Sequence, residues 1–374
     1  MRRFVQTAEE IRNHLILQSK TVKRVYYAYP DATPKYYNNG RYSWGEEIPV
    51  ELQKPNFLWN GTCWDMNDTL AAGTFCVIYN SHGLKLGWRD PWYHSGHLDY
   101  LHNGNKLPVV FSMSCETGCF KDTTCFAEKF LRKDDGGCVA IFAASGDAYS
   151  GYDDALIEGM IDAIWPNPNL IPQFPNHQQN VTTTPEPTYC LGQILRQGLK
   201  RMEETWGNSI LMRRRFHCFG DPSMKIATEV PTIFSNASII RTSNNITVQT
   251  GEGVAKITFY DHRLDSVACF VGTSAEYHGQ SDGVSVCLSA HNKIPLIDEK
   301  DVLFIQNENL TGNNNLEADV IIVGEHVTDL KELGTVTLVS GSNTNMSAGT
   351  IELHSGTTVE HGAVMTIGNT NTNP

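Results

Sequence analysis

Three short apolar runs, Thr74–Tyr79, Pro108–Met113 and Cys138–Ala144, restrict the fold more than any other feature of this sequence. Each lacks the polar alternation of a half-exposed strand and is too short for an ordinary helix. That is the pattern of a strand buried on both faces, in a parallel sheet covered by helices. Helical patterns surround the runs: Ala8–Leu17, with Thr7 as N-cap and Glu10 at capping-box spacing, then Cys125–Arg132 and Asp154–Ile164. Tyr189–Trp206 is a longer helical pattern, apolar at Leu191, Ile194, Leu195, Leu199 and Met202. Val22–Tyr29 reads as a further strand. The expectation is a three-layer α/β domain with a mainly parallel sheet over residues 1–228.

The character changes after Pro231. Alternating runs such as Ile246-Thr247-Val248, Ala255–Phe259 and Val284–Leu288, separated by turn residues, predict a small antiparallel sandwich over residues 229–307. Asn307–Asn315 reads as a polar linker. Residues 308–374 then carry short strands at Val320–Val323, Gly334–Val339, Thr350–Leu353 and Ala363–Ile367, which suit a β-rich module for sorting or adhesion.

A chain of 374 residues exceeds what one core organises, so several domains are expected. Its 29 basic and 41 acidic side chains give a net charge of −12, the wrong sign for nucleic acid. The one basic cluster, Arg213-Arg214-Arg215, reads as a solvated turn. No run of apolar residues is long enough for a membrane span, and Met1–Gln6 leads into no apolar segment of the signal-peptide kind. The ten cysteines are too sparse for a disulfide scaffold, and buried thiols are the expectation for Cys76 and Cys138. Cys269 and Cys287 are a candidate pair.

Chemistry concentrates after the first two apolar runs. His82 follows Thr74–Tyr79 and Cys115 follows Pro108–Met113, both at carboxyl ends of strands, where sites form in open parallel sheets. A Cys–His pair is a minimal nucleophile: imidazole draws off the thiol proton and the thiolate attacks a carbonyl. The Gly83 and Cys115 N–H groups are then candidates for an oxyanion hole. The plainer alternatives are a turn histidine capping a strand end and a buried thiol. Cys115, Cys119 and Cys125 lack the Cys-x-x-Cys spacing of a zinc knuckle, so no metal is expected.

Ser81-His82-Gly83, then Leu107–Cys115, then Cys125-Phe126-Ala127-Glu128 resemble the catalytic core of the gingipain family, cysteine peptidases of caspase-related fold. Val139-Ala140-Ile141 resembles the family's next strand, and Phe219–Met224 its closing signature. The resemblance implies His82 as base, Cys115 as nucleophile and Asn80 and Met113 as pocket walls. It also implies a pocket-gating loop over Gly146–Tyr152 that contains Asp147 and Tyr149, and an immunoglobulin-like module behind the catalytic domain. It implies protein or peptide substrates, no cofactor, and calcium as a structural ion, although no ligand loop of recognisable spacing is present.

The chain also departs from the family. Ser81 replaces a glycine and Cys119 an acidic residue. The carboxylate that should orient the histidine falls upstream of Ala8–Leu17, and the acid that selects arginine falls near Thr7. The expectation is therefore an N-terminally truncated portion of a longer secreted or surface precursor, lacking its first subdomain. A non-catalytic remnant with a binding or adhesion role is the rival reading, and an intracellular caspase-like regulator a third.

Overall fold

Burial on both faces requires a sheet with a helical layer on each side, and the computed structural model has one. It describes residues 3–37, 45–121, 123–172, 181 and 184–369. The chain divides into two units, Met1–Ile226 and Ala227–Pro374.

The first unit runs α1 (Phe4–Leu17), α2 (Cys63–Ala72), β1 (Cys76–Asn80), the short strands β2 (Gly83–Leu84), β3 (Gly87–Trp88) and β4 (Tyr93–His94), and α3 (Ser95–Leu98). There follow β5 (Val109–Met113), α4 (Phe126–Leu131), β6 (Ala140–Ala144), α5 (Tyr152–Ile164), α6 (Leu191–Thr205), α7 (Ile210–Arg215) and β7 (Phe216–Phe219). The main sheet has the order β1-β5-β6-β7, with β1, β5 and β6 parallel and β7 antiparallel at the edge. Val109, Phe111 and Met113 face a layer containing Ile11 of α1, Leu156 and Met160 of α5 and Ile194 of α6. Val110 and Ile141 face the opposite layer, with Leu70 of α2 and Phe126 and Phe130 of α4. The period of two along each strand thus feeds two cores.

Two local expectations fail for tertiary reasons. Thr7 does not cap α1: the helix begins at Phe4, and the Thr7 hydroxyl, inside it, donates to Asp154 Oδ1 at 2.8 Å. Val22–Tyr29 forms no strand beyond an isolated bridge between Tyr27 and Asn60. Its alternate side chains Arg24 and Tyr26 instead converge on the carboxylate of Glu9, each at 2.7 Å.

The second unit opens with seven strands, β8 (Ser238–Thr242), β9 (Asn245–Gln249), β10 (Ala255–Asp261), β11 (Ser266–Gly272), β12 (Ser274–His278), β13 (Val284–Ser289) and β14 (Leu296–Asp298). They form two antiparallel sheets, β11-β10-β13-β14 and β12-β9-β8, around a shared core of Ile246, Val248, Ile257, Phe259, Val286 and Leu288. Cys269 and Cys287 both stand opposite Thr258, on either side of β10. Two strand spacings, roughly 9.5 Å, separate them, which is beyond disulfide reach; both are free thiols.

The remaining strands are β15 (Val302–Ile305), β16 (Glu308–Leu310), β17 (Asn313–Glu317), β18 (Val320–Val323), β19 (Val336–Leu338), β20 (Asn343–Ala348), β21 (Thr350–Leu353), β22 (Thr357–Val359) and β23 (Val364–Asn369). They form three parallel three-stranded sheets, β15-β18-β21, β16-β19-β22 and β17-β20-β23. Successive strands go to successive sheets, so the chain winds as a three-faced parallel coil around Leu310, Ile321, Val323, Val336, Leu338 and Met346. Asn307–Asn315 is therefore no linker but part of the coil's first turn, which begins at β15; that strand belongs to the coil rather than to the sandwich. Asparagine is a poor strand former by itself. Here neighbouring turns bond it: Asn345 Nδ2 donates to Asn315 Oδ1 at 2.9 Å, and Asn314 Nδ2 to Thr344 Oγ1 at 3.2 Å.

Candidate active site

Strand register brings the two reactive side chains to one sheet edge. Asn80 pairs with Met113 at the carboxyl ends of β1 and β5, and His82 and Cys115 each lie two residues beyond that pair. The loops touch: a Cβ placed on Gly83 would lie 2.7 Å from Ser114 Cβ and Oγ and 2.8 Å from the Cys115 carbonyl oxygen. Only glycine allows this approach.

Buried polar groups hold both loops from below. The Tyr79 hydroxyl donates to the His82 carbonyl at 2.6 Å and accepts the Arg89 and Asp90 N–H groups at 3.0 and 3.1 Å. Trp88 stacks on Tyr79, 4.6 Å between ring centroids, and its Nε1 donates to Ser112 Oγ at 2.8 Å. Ser112 Oγ in turn bonds Thr117 Oγ1 at 2.9 Å and Ser114 Oγ at 3.1 Å. A satisfied network of this kind fixes one geometry. The imidazole of His82 meets the ring of Phe4 edge-on, 5.3 Å between centroids and 81° between planes.

The turn after Cys115 is tight. Glu116 has φ +60°, a sparsely populated region for a side-chain-bearing residue, and its N–H donates to the Gly146 carbonyl at 3.0 Å. The loop after β6 is thereby drawn over the thiol. The Ala148 N–H donates to Cys115 Sγ at 3.4 Å, and the Ala148 carbonyl lies 3.5 Å from it. Arg215, at the end of α7, clamps this loop: its guanidinium donates to the Asp147 carbonyl and lies over the Tyr149 ring at 5.7 Å, while its carbonyl accepts the Ser145 N–H at 2.8 Å. The arginine cluster is thus not simply a solvated turn.

Acids gather behind the loop. Asp154 accepts from Asn80 Nδ2 and the Gly151 N–H, both at 2.8 Å, as well as from Thr7. Asp153 is buried with Oδ1 unpartnered, and burial, then the neighbouring Asp154, pushes its carboxyl well above the usual range. Burial likewise raises the Cys115 thiol, and Asp153, Asp147 and Glu116 add to the effect against the opposing Ala148 N–H.

Of the residues expected here, Asp147 and Tyr149 are exposed on the loop. Asn80 is buried and braces α5 through Asp154. Met113 is wholly buried in the core, so it supports the site from beneath and does not line an open pocket. Phe4 escaped sequence reasoning because nothing local marks it, and Thr7, Ala148 and Arg215 were read there in other roles, since their contacts with the site come from distant parts of the chain. Among the described residues, no cluster of three or more His, Cys, Asp or Glu side chains is arranged to hold a metal ion. A cavity of about 270 Å³ lies elsewhere, around the buried Arg201–Asp162 ion pair of α6 and α5.

Known proteins resemble this chain over part of its length. Gingipain R2 of Porphyromonas gingivalis is 27% identical over 173 residues, 44% of this chain and 21% of that protein. Gingipain R1 of the same organism is 27% identical over 173 residues, 44% of this chain and 16% of that protein. The chain thus spans about a fifth or less of the length of these relatives. The crystal structure of the Arg-specific cysteine proteinase gingipain R matches with TM-score 0.51 at 23% identity, covering 63% of this chain and 55% of that one. The complex of the RgpB pro- and mature domains matches with TM-score 0.51 at 21% identity, covering 63% and 56%. At such identities it is the fold that is shared. The sequence profile of peptidase family C25 matches residues 4–227, more than half of the chain, and the chain belongs to that family of cysteine peptidases.

Proposed function

We propose that this chain cleaves peptide bonds by acyl transfer through Cys115 and His82. The observation that carries the reading is the paired register of β1 and β5, which sets both residues on adjacent loops in contact at Gly83. Cys115 Sγ bonds to the scissile carbonyl carbon, and the carbonyl electrons move to oxygen. The Gly83 and Cys115 N–H groups hold that oxyanion; the Cys115 N–H has no acceptor among the described residues. His82 takes the thiol proton and delivers it to the leaving amine, and water then hydrolyses the thioester. Burial, and then the neighbouring acids, raise the Cys115 thiol against the opposing Ala148 N–H, so a nearby base is needed to take its proton. The edge of Phe4 orients the imidazole.

Asp147, exposed on the loop that covers Cys115, favours substrates with a basic side chain next to the scissile bond. The sandwich's strand order, three strands against four, supports an immunoglobulin-like module behind the catalytic unit. No helix among the described residues is long and apolar enough to cross a membrane, and the likeness to gingipains favours a secreted or surface protein. A further catalytic subdomain or a precursor portion is a candidate partner, and calcium a candidate structural ion, both on the family likeness alone. The test is cleavage of a fluorogenic peptide library by wild type, Cys115→Ala and His82→Ala. Cleavage of arginyl and lysyl sites by wild type alone is expected; equal cleavage by all three would favour the non-catalytic reading.

A further inference from the structure

The loop Gly146-Asp147-Ala148-Tyr149-Ser150-Gly151 has a glycine at each end and its two large side chains, Asp147 and Tyr149, exposed. Its place over Cys115 therefore depends on bonds from outside it. The ends are tied to near neighbours: Gly146 O accepts the Glu116 N–H at 3.0 Å, and the Gly151 N–H donates to Asp154 Oδ2 at 2.8 Å. The middle is tied to Arg215. Pairing of Ala144 with Phe216, at the end of β6 and the start of β7, sets Arg215 beside the loop. A Cβ on Gly146 would lie 3.1 Å from Arg215 Nε, so glycine there leaves the guanidinium room to reach the Asp147 carbonyl. That carbonyl and the Ala148 N–H are two ends of one planar trans peptide, and they point to opposite sides of it. One end meets the Arg215 guanidinium and the other meets Cys115 Sγ at 3.4 Å. Fixing the carbonyl thus aims the N–H, and a cation on the carbonyl makes the N–H a stronger donor.

We propose that Arg215 is a positioning residue for the nucleophile, acting through the Asp147–Ala148 peptide to hold an N–H against Cys115 Sγ as negative charge forms there. The inference rests on the nucleophilic role proposed for Cys115 and adds a residue 100 positions away that sets its reactivity. The N–H works against burial and against Asp153 of α5, Asp147 of the loop and Glu116 of the adjoining turn, all of which disfavour the thiolate. His82, on the neighbouring loop, takes the proton. Arg215 itself is held by its backbone, since its carbonyl accepts the Ser145 N–H at 2.8 Å and the Ser145 hydroxyl at 3.2 Å. Its side chain lies over the Tyr149 ring at 5.7 Å, which keeps the guanidinium on the loop.

The test is the rate at which iodoacetamide alkylates Cys115 in the full chain, read by mass spectrometry of the Cys115 peptide from pH 5 to pH 10. The thiolate displaces iodide, so the rate follows the thiolate fraction and needs no peptide turnover. Cys269, exposed in the other unit, is the internal control. Arg215→Met keeps the aliphatic stem and removes the donor. It should slow Cys115 about tenfold near neutrality, as loss of a hydrogen bond to a charged group does, and move the midpoint to higher pH. The Cys269 rate and the melting temperature should not change. Arg215→Lys keeps one donor and the charge over Tyr149, and should recover most of the loss. A wild-type midpoint in Arg215→Met overturns the proposal. A loss as large in Arg215→Lys as in Arg215→Met also overturns it, and that comparison decides if the methionine variant melts lower. Peptide hydrolysis with an unmoved midpoint would sink this inference and leave the peptidase reading standing; the shift in a chain that cleaves no library peptide would do the reverse.

Discussion

The two units of this protein solve the problem of buried polarity in opposite ways. The first buries Arg3, Glu9, His14, Asp153, Asp154, Glu158, Asp162 and Arg201. The second, among the described residues, buries one charged side chain, Asp261, and otherwise neutral groups such as Gln306, Ser342 and Thr344. Desolvating an ion costs several kcal/mol even when it is paired, so a fold that needed only stability would resemble the second unit. Asp153 and Asp154 lie at the start of α5, beside the loops of the candidate active site, whereas Asp162 pairs with Arg201 and Glu9 with Arg24 away from it. Asp154 links three of its elements through Thr7, Asn80 and Gly151. Part of the buried charge of the first unit thus braces the candidate site, and the coil has no counterpart among the described residues.

Cys115→Ala should sharpen this contrast most, lowering peptide hydrolysis by a factor of at least about a thousand and leaving the melting of both units unchanged. Activity retained in that variant would remove the chemical meaning of the first unit. Gly83→Ala should follow. Its methyl would force the histidine and cysteine loops apart, and displacement on the order of 1 Å costs about a hundredfold in rate, read as kcat/KM on the best library peptide.

In the second unit, Ile321→Ala should cost about 2–5 kcal/mol, because Ile321 is wholly buried in the coil. Denaturant unfolding measures the loss, and kcat/KM should not change. A fall in activity would show that the units are coupled.

Glu158→Gln probes the charge itself. Burial, and then Glu10, raise the Glu158 carboxyl well above its ordinary value; Arg3 opposes this and Asp154 adds to it. The folded state therefore binds this proton more tightly than the unfolded chain. Its stabilising contribution is complete below about pH 4 and is lost as pH rises through the raised value. Glutamine has no proton to lose, so the variant should melt higher than wild type above neutrality and show a flatter pH profile. Thermal melts from pH 4 to pH 9 read the difference, and parallel profiles would contradict it. The smallest effect is expected of Asn345→Ala, which removes one exposed amide bond in the coil and should cost about 1 kcal/mol or less by the same unfolding measurement.

Much of the first unit was legible in its residues. Runs such as Pro108–Met113 leave few alternatives, because a short apolar segment must be buried on both faces, and a reactive residue immediately after it must stand at the sheet edge. The second unit was legible only in part. Sandwich strands alternate visibly, whereas Asn313-Asn314-Asn315 looks like a loop until a neighbouring turn of the coil bonds its amides. Thr7 shows the same limit within a helix: its sequence position suits a cap, and a carboxylate 147 positions away claimed its hydroxyl. Cys269 and Cys287 seemed candidates to pair until strand order placed β10 between them.

The sequence by itself determined the layered α/β plan, the candidate pair His82 and Cys115 and the glycine between their loops, since these depend on local pattern and residue type. Tertiary structure alone decided that Ala148 covers the thiol, that Arg215 clamps the covering loop and that burial, with acids beside it, raises the thiol. Those are contacts between groups distant in the chain, and their strength depends on burial, which becomes defined only when the layers close.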